Sequence, residues 1–104
     1  MVFCHGFGGD RDIWALQREA LAVRVRVVAW DQRGHGRSEW GEPARATVVQ
    51  TGRDLAAVLE ATTPAGPVVL AGHSMGGMSI QALAGACPEL FGTCLLYTSD
   101  AADE

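Results

Sequence analysis

The chain has 104 residues, which allows at most one small domain, and its 48% hydrophobic and 19% charged residues are typical of a globular protein. A net charge of −4 without a basic cluster argues against nucleic acid as a partner, and no apolar run approaches the roughly 20 residues of a membrane span. The three cysteines lack the spacing of metal ligands, so we predict reduced thiols, no bound metal and a cytoplasmic location.

The first part of the chain predicts two strands, each followed by a polar or glycine-rich loop, with a helix between them. Residues 1–4 are apolar and lead into the glycine-rich loop 5–9. Aspartates suited to cap a helix come next, and we predict a helix over residues 13–22. The apolar pattern over residues 24–30 predicts a buried strand, which ends in the polar loop 31–38.

The second part of the chain predicts a strand between two helices. Thr47 is expected to cap a helix that runs to about residue 61. An apolar run from Val68 predicts a buried strand, and small residues predict a helix over residues 78–86. Two further stretches are predicted, a turn over residues 62–67 and a strand over residues 91–97.

Strand and helix alternate along the chain, which predicts an α/β fold with a parallel sheet of three strands, or four if the last predicted strand forms. The polar loops then lie at the carboxyl ends of the strands, where open α/β sheets place their ligand sites. Apolar spacing also predicts which side chains of the first two helices face the core. They are Ile13, Trp14, Leu16 and Ala20 in the first helix, and Val48, Val49, Leu55, Ala56 and Leu59 in the second.

The stretch around Ser74 predicts a catalytic turn. Gly72, Ser74 and Gly76 form the pattern Gly-x-Ser-x-Gly between the strand from Val68 and the following helix. Such a turn holds the serine in a strained backbone conformation above the sheet, and the flanking glycines avoid a clash between strand and helix. The helix N-terminus beneath the serine favours a developing anion.

Three motifs in this order resemble those of the α/β-hydrolase superfamily, in its serine esterase, lipase and C–C hydrolase branch. They are His5-Gly6-Phe7-Gly8-Gly9, Asp31-Gln32-Arg33-Gly34-His35-Gly36-Arg37-Ser38 and Gly72-His73-Ser74-Met75-Gly76-Gly77. The resemblance implies the central part of that family's sheet, with the first strand between the other two. It also implies that the first helix lies on one face and the next two on the other.

The resemblance implies a role for individual residues. Ser74 is the expected nucleophile, which would attack a small-molecule ester or related carbonyl and form an acyl-enzyme without a cofactor. The backbone N–H groups of Phe7 and Met75 are the expected oxyanion donors. The nucleophile elbow itself is expected to consist of Gly72, His73 and Gly76 around the serine.

The acid and the histidine of the family's triad follow the serine in the chain, but no histidine follows Ser74 here. We expect His73 to point away from the serine and into the fold. His5, His35 and Asp31 are expected to brace loops. We therefore predict that this chain has no serine-hydrolase turnover by itself.

Residues 1–93 are therefore expected to be a partial α/β-hydrolase domain, and residues 94–104 a non-native tail. The tail holds the chain's single tyrosine and three of its twelve acidic residues. Its residues can be encoded by a string that resembles a transposon-end adapter from sequencing-library preparation. The alternative is a natural strand with an acidic end.

Other functions on the same fold stay open at this point. A cofactor-free haloperoxidase or an acyltransferase can also use a serine triad, and a non-catalytic ligand-binding protein can keep Gly-x-Ser-x-Gly intact. The fold alone fixes no substrate, and the sequence leaves the oligomeric state undetermined.

Overall fold

A computed structural model describes residues 1–45, 47–63, 68–89 and 94–98, with the backbone alone for 94–98. Most of the predicted turn at 62–67 and the start of the strand predicted at 91–97 lie outside these residues. The strands are β1 (Val2–Cys4), β2 (Val28–Trp30), β3 (Val68–Gly72) and β4 (Cys94–Thr98). The α-helices are α1 (Ala15–Leu21), α2 (Val48–Thr62) and α3 (Met75–Ala86). Two 3-10 turns cover Arg11–Trp14 and Pro43–Arg45.

The four strands form one parallel sheet in the order β2-β1-β3-β4. Val2 of β1 lies opposite Val28 on one side and Leu70 on the other, so the first strand lies between the other two, as predicted. The optional fourth strand is present and pairs with β3 from Val68 opposite Cys94. The predicted α/β architecture is confirmed.

Alternating side chains of β1 face the two layers of helices. Val2 and Cys4 are fully buried and belong to a core with Leu55 of α2 and Ile80 of α3. Phe3 points to the opposite face, where its ring stacks on Trp14 with centroids 4.6 Å apart. Because strand side chains alternate between faces, the first helical segment and the pair α2–α3 lie on opposite sides of the sheet.

The prediction that the apolar side chains of the first helix face the core is wrong for three of the four. Ile13 is 47% exposed, Leu16 is 78% exposed and Ala20 is exposed, and Trp14 alone of the four is half-buried. The segment begins as a 3-10 turn and has only seven residues of α-helix. Apolar side chains are buried only where another element lies opposite, and in the described part of the chain Trp14 alone meets such a partner, Phe3.

The second strand is shorter and less buried than predicted. β2 has three residues, all half-buried, because β1 is its only neighbour in the sheet among the described residues. The amides of Arg24 and Val25 both donate to the Leu21 carbonyl at the end of α1. Those amides are therefore unavailable for a strand ladder, and the strand begins at Val28.

The long helix α2 begins where predicted, since the Thr47 hydroxyl accepts the Gln50 amide at 3.1 Å. Leu55 is fully buried, but Val48 and Val49 are 38% and 60% exposed, contrary to prediction. The buried stripe passes through Gly52 instead, where an added Cβ would lie 2.9 Å from the Ala82 Cβ of α3. Thr51, next to Gly52, is buried as well, so the buried stripe of α2 runs through residues 51, 52 and 55 and leaves Val48 and Val49 outside it. In the described part of the chain, no helix is both long and apolar enough to cross a membrane.

Candidate active site

The turn at Ser74 has the strained geometry that the sequence predicts. Ser74 has φ +53° and ψ −112°, and among the described residues no other non-glycine residue has a positive φ. β3 ends two residues earlier and α3 begins at Met75, directly after the serine. An L-residue in this conformation costs free energy that the surrounding contacts must offset. The chain thus holds this hydroxyl at the junction of a strand and a helix N-terminus.

Glycines make this junction sterically feasible. A Cβ at Gly72 would lie 2.5 Å from the Gly77 nitrogen, and a Cβ at Gly76 would overlap the Cys4 carbonyl. A third glycine, Gly6, has the same role from the neighbouring loop, where an added Cβ would lie 3.3 Å from the Ser74 Cβ. The loop after β1 therefore lies directly against the serine.

The backbone amides near the serine fall into two groups, those that donate to a backbone carbonyl and those that do not. In the first group, Gly76 N–H donates to the His73 carbonyl at 2.9 Å, and Met78 N–H donates to the Ser74 carbonyl at 3.1 Å. Phe7 and Met75, by contrast, donate no backbone hydrogen bond within the described ranges. Phe7 follows Gly6, and its side chain is 75% exposed. Met75 directly follows Ser74 in the chain, and Phe7 directly follows Gly6, which lies against the serine.

His5 braces the loop after β1, as predicted. The ring is fully buried; Nδ1 donates to the Gly6 carbonyl at 2.8 Å and Nε2 accepts the Gln32 amide at 2.9 Å. Because a backbone N–H can only donate, Nε2 must be unprotonated, which fixes the neutral Nδ1–H tautomer. Burial lowers the pKa of His5 below its ordinary value, and the neighbouring His35 acts in the same direction.

His35 ties the second loop to the first. Its Nε2 accepts the Gly8 amide at 2.9 Å and its Nδ1 lies 3.0 Å from the Arg33 carbonyl. The ring also contacts Phe7 edge-on, with centroids 5.3 Å apart, and it lies 5.0 Å from the His5 ring. The two histidines are therefore structural groups with both nitrogens engaged, as the sequence predicts.

Asp31 fixes the second loop, also as predicted. Its two carboxylate oxygens accept the amides of Arg11 at 2.9 Å and Arg37 at 3.1 Å, while Ser38 Oγ donates to its carbonyl at 2.6 Å. Burial by itself would raise the pKa of Asp31, but the two backbone donors and the Arg11 guanidinium hold it below its ordinary value.

Arg33 connects the second loop to α2. Its guanidinium forms a two-point ion pair with Asp54 of α2 at 2.9 and 3.0 Å, and it also donates to the Trp40 carbonyl at 2.9 Å. Burial opposes ionisation of Asp54, but Arg33 and Gln50 hold the pKa of this carboxyl below its ordinary value. This arginine is therefore occupied within the fold.

The predicted orientation of His73 into the fold is wrong. Its side chain is exposed and, with Phe7 and Trp14, lines a cleft of about 380 Å³ on the α1 side of the sheet. Because Gly6 has no side chain, the imidazole can lie against the loop after β1, and an added Cβ at Gly6 would be 2.9 Å from His73 Nδ1. The ring therefore packs on this loop at the surface of the cleft.

Sequence reasoning missed a buried polar network beneath the site. Gln32 and Ser79 are fully buried, and Ser79 Oγ lies 2.9 Å from Gln32 Oε1 and 2.8 Å from Thr51 Oγ1. The available signal was a serine in a strongly apolar helix, where a buried hydroxyl requires a partner.

Acidification should destabilise the protein through His5. The folded-state pKa of His5 is lowered from its ordinary 6.5, so the unfolded chain takes up a proton first as the pH falls. Its contribution to the free energy of unfolding is full above about pH 6.5 and falls as the pH drops towards the lowered pKa. Urea denaturation between pH 7.5 and 5 should show this loss.

His5→Asn should flatten this pH dependence, because it removes the ring that titrates. If His5→Asn does not fold, the NMR titration of the His5 ring in the unmodified chain decides. A midpoint at or above 6.5 would contradict the prediction.

The sequence model of the alpha/beta hydrolase family matches residues 1–103. The chain belongs to this family.

Known relatives of the chain are enzymes of several kinds. The chain is 40% identical to a putative carbamate hydrolase, RutD, of Azorhizobium caulinodans, over 81% of this chain and 31% of that protein. It is 36% identical to the dihydrolipoyllysine-residue acetyltransferase component of the acetoin cleaving system of Pseudomonas putida, over 95% of this chain and 26% of the relative. A thermophilic esterase from Thermogutta terrifontis superposes with a TM-score of 0.78 at 34% identity, over 94% of this chain and 36% of that structure. The chain thus spans about a quarter to a third of these curated relatives.

Proposed function

We propose that Ser74 is the nucleophile of a serine-dependent hydrolase that cleaves an ester or related acyl bond in a small molecule. The observation that carries this proposal is the positive φ of Ser74 directly before α3. Catalytic serines of this fold need such a turn, because it exposes the hydroxyl beside free helix amides. The similarity to an esterase and a carbamate hydrolase supports the same chemistry.

In the proposed reaction, Ser74 Oγ attacks the carbonyl carbon and the leaving group departs to give an acyl-enzyme, which water then hydrolyses. The amides of Phe7 and Met75 would stabilise the oxyanion. Each donor of this kind contributes a factor of roughly 10² to 10³ in rate. Both amides are unused by the backbone of the described residues, as this role requires.

The general base is proposed to lie outside these 104 residues. Both ring nitrogens of His5 and of His35 are engaged within the loops. The exposed His73 lines the cleft on the α1 side of the sheet. Without a base, Ser74 is an ordinary hydroxyl, so we expect no turnover by this chain. Rapid labelling by a fluorophosphonate probe would contradict that expectation.

Acyl transfer is the second candidate, favoured by the similarity to an acetyltransferase component. The same acyl-enzyme would then react with a nucleophile other than water.

We also propose that the protein is cytoplasmic and that residues 94–104 are of non-native origin. A parent gene that continues in frame with the same residues would exclude a non-native tail.

Ser74→Cys tests the proposed geometry without the missing base. A thiol at a helix N-terminus with nearby amide donors titrates below the ordinary cysteine pKa of about 8.5. We expect the pKa of the thiol in Ser74→Cys to lie at least about one unit below that in Ala57→Cys, an exposed position in the middle of α2. The pH dependence of iodoacetamide alkylation measures both.

Native thiols need not interfere with this comparison. Burial raises the pKa of Cys4 to about 12 despite the Trp30 contact, so Cys4 stays unreactive. Cys87 and Cys94 are replaced by serine in both variants. Equal thiol pKa values in Ser74→Cys and Ala57→Cys would overturn the proposed role of Ser74.

A further inference from the structure

The side chain of Gln32 is fully buried, yet each of its polar groups has a partner. Its Nε2 donates to the His5 carbonyl, and its Oε1 accepts from Ser79 Oγ at 2.9 Å. Its backbone N–H donates to His5 Nε2 at 2.9 Å. The orientation of the amide group is fixed, because a carbonyl oxygen such as that of His5 can only accept.

The partners of Gln32 belong to the two segments that would form the oxyanion site. His5 lies two residues before Phe7, in the loop after β1. Ser79 lies one turn after Met75 in α3, and its hydroxyl is 3.0 Å from the Met75 carbonyl. One side chain therefore connects the segment with the first proposed donor to the segment with the second.

The Phe7 amide lies between two anchored residues of its loop. His5 is held by Gln32 on one side, and Gly8 is held by His35 on the other. The side chain of Phe7 is 75% exposed and meets the edge of the His35 ring. The direction of its amide therefore depends on the bonds made by its neighbours.

We propose that Gln32 is a positioning residue that fixes the loop bearing the Phe7 amide against the helix that follows Ser74. The inference rests on the proposed function, because it assigns Phe7 N–H and Met75 N–H to one oxyanion. Its chemistry is non-covalent. The glutamine sets the distance between two donors and touches no substrate.

The test uses the thiol of the Ser74→Cys chain as a probe of the donors. Gln32→Met keeps the length of the side chain but removes its donor and acceptor. We expect it to raise the pKa of the Ser74→Cys thiol by at least about half a unit, towards that of the thiol in Ala57→Cys. A role confined to stability would lower the urea midpoint and leave the thiol pKa unchanged.

Gln50→Met is the matched control. Gln50 is half-buried and its side-chain amide donates a hydrogen bond as well, but the acceptor is Asp54 of α2. This variant should leave the thiol pKa unchanged. Ser79→Ala breaks the α3 end of the connection, together with the contact to Thr51, and leaves the bonds between Gln32 and His5 in place. It should shift the pKa in the same direction as Gln32→Met.

The outcomes separate the two proposals. An ordinary thiol pKa in Ser74→Cys itself contradicts the proposed function. A lowered pKa that neither Gln32→Met nor Ser79→Ala changes overturns the role of Gln32 alone. If Gln32→Met does not fold, Ser79→Ala decides, since its thiol pKa must still rise for the inference to hold.

Discussion

Replacing Gly76 by alanine is expected to lower the free energy of unfolding by about 3 kcal/mol or more. The new Cβ would overlap the Cys4 carbonyl oxygen and lie 2.8 Å from the His5 carbonyl oxygen. Both are backbone atoms at the end of β1, the central strand, so neither can move away as a flexible side chain would. The first turn of α3 must shift instead, and the serine turn with it.

Gly85→Ala is the control in the same helix. Nothing lies within 4 Å of an added Cβ at Gly85, and its backbone is helical. Alanine there should raise the free energy of unfolding by about 0.5–1 kcal/mol, because glycine loses more backbone entropy on folding. Urea denaturation measures both variants. A loss below about 1 kcal/mol for Gly76→Ala would mean that α3 does not begin against β1.

The features that the sequence predicted well depend on local requirements. The turn at Ser74 is tight within a few residues, because a Cβ at Gly72 would meet the backbone of Gly76 and Gly77, four and five positions later. The cap at Thr47 is equally local, since its hydroxyl reaches only three residues along the chain. The order of the strands came from the family resemblance.

The predictions that failed concern side chains whose burial and contacts depend on residues distant in the sequence. Apolar spacing in the first helix indicates a face, but Leu16 is 78% exposed because no described element covers it. The exposed His73 packs on Gly6, which is 67 positions earlier in the chain. The contact between Gln32 and Ser79 joins residues 47 positions apart. No window of local sequence contains both partners of such a contact.

The carboxylate of Asp31 accepts two backbone hydrogen bonds that hold the second loop. One oxygen accepts the Arg11 amide from the first helical segment, and the other accepts the Arg37 amide from its own loop. Gly36 lies so close to the carboxylate that a Cβ there would overlap it. The side chain is only 5% exposed, so water cannot replace either bond.

Asp31→Asn should therefore cost about 2–3 kcal/mol of unfolding free energy at pH 7, because one amide N–H would face the new NH2 group without an acceptor. Glu60→Gln, an exposed change in α2, should stay within about 0.5 kcal/mol of the unmodified chain. The folded-state pKa of Asp31 is lowered from 3.8, so its stabilisation is full above about that pH and is lost as the pH falls through the lowered pKa. The difference between the unmodified chain and Asp31→Asn should thus shrink below pH 4 in urea denaturation. A difference that persists unchanged at pH 2 would show that the charge of Asp31 is not what holds the loop.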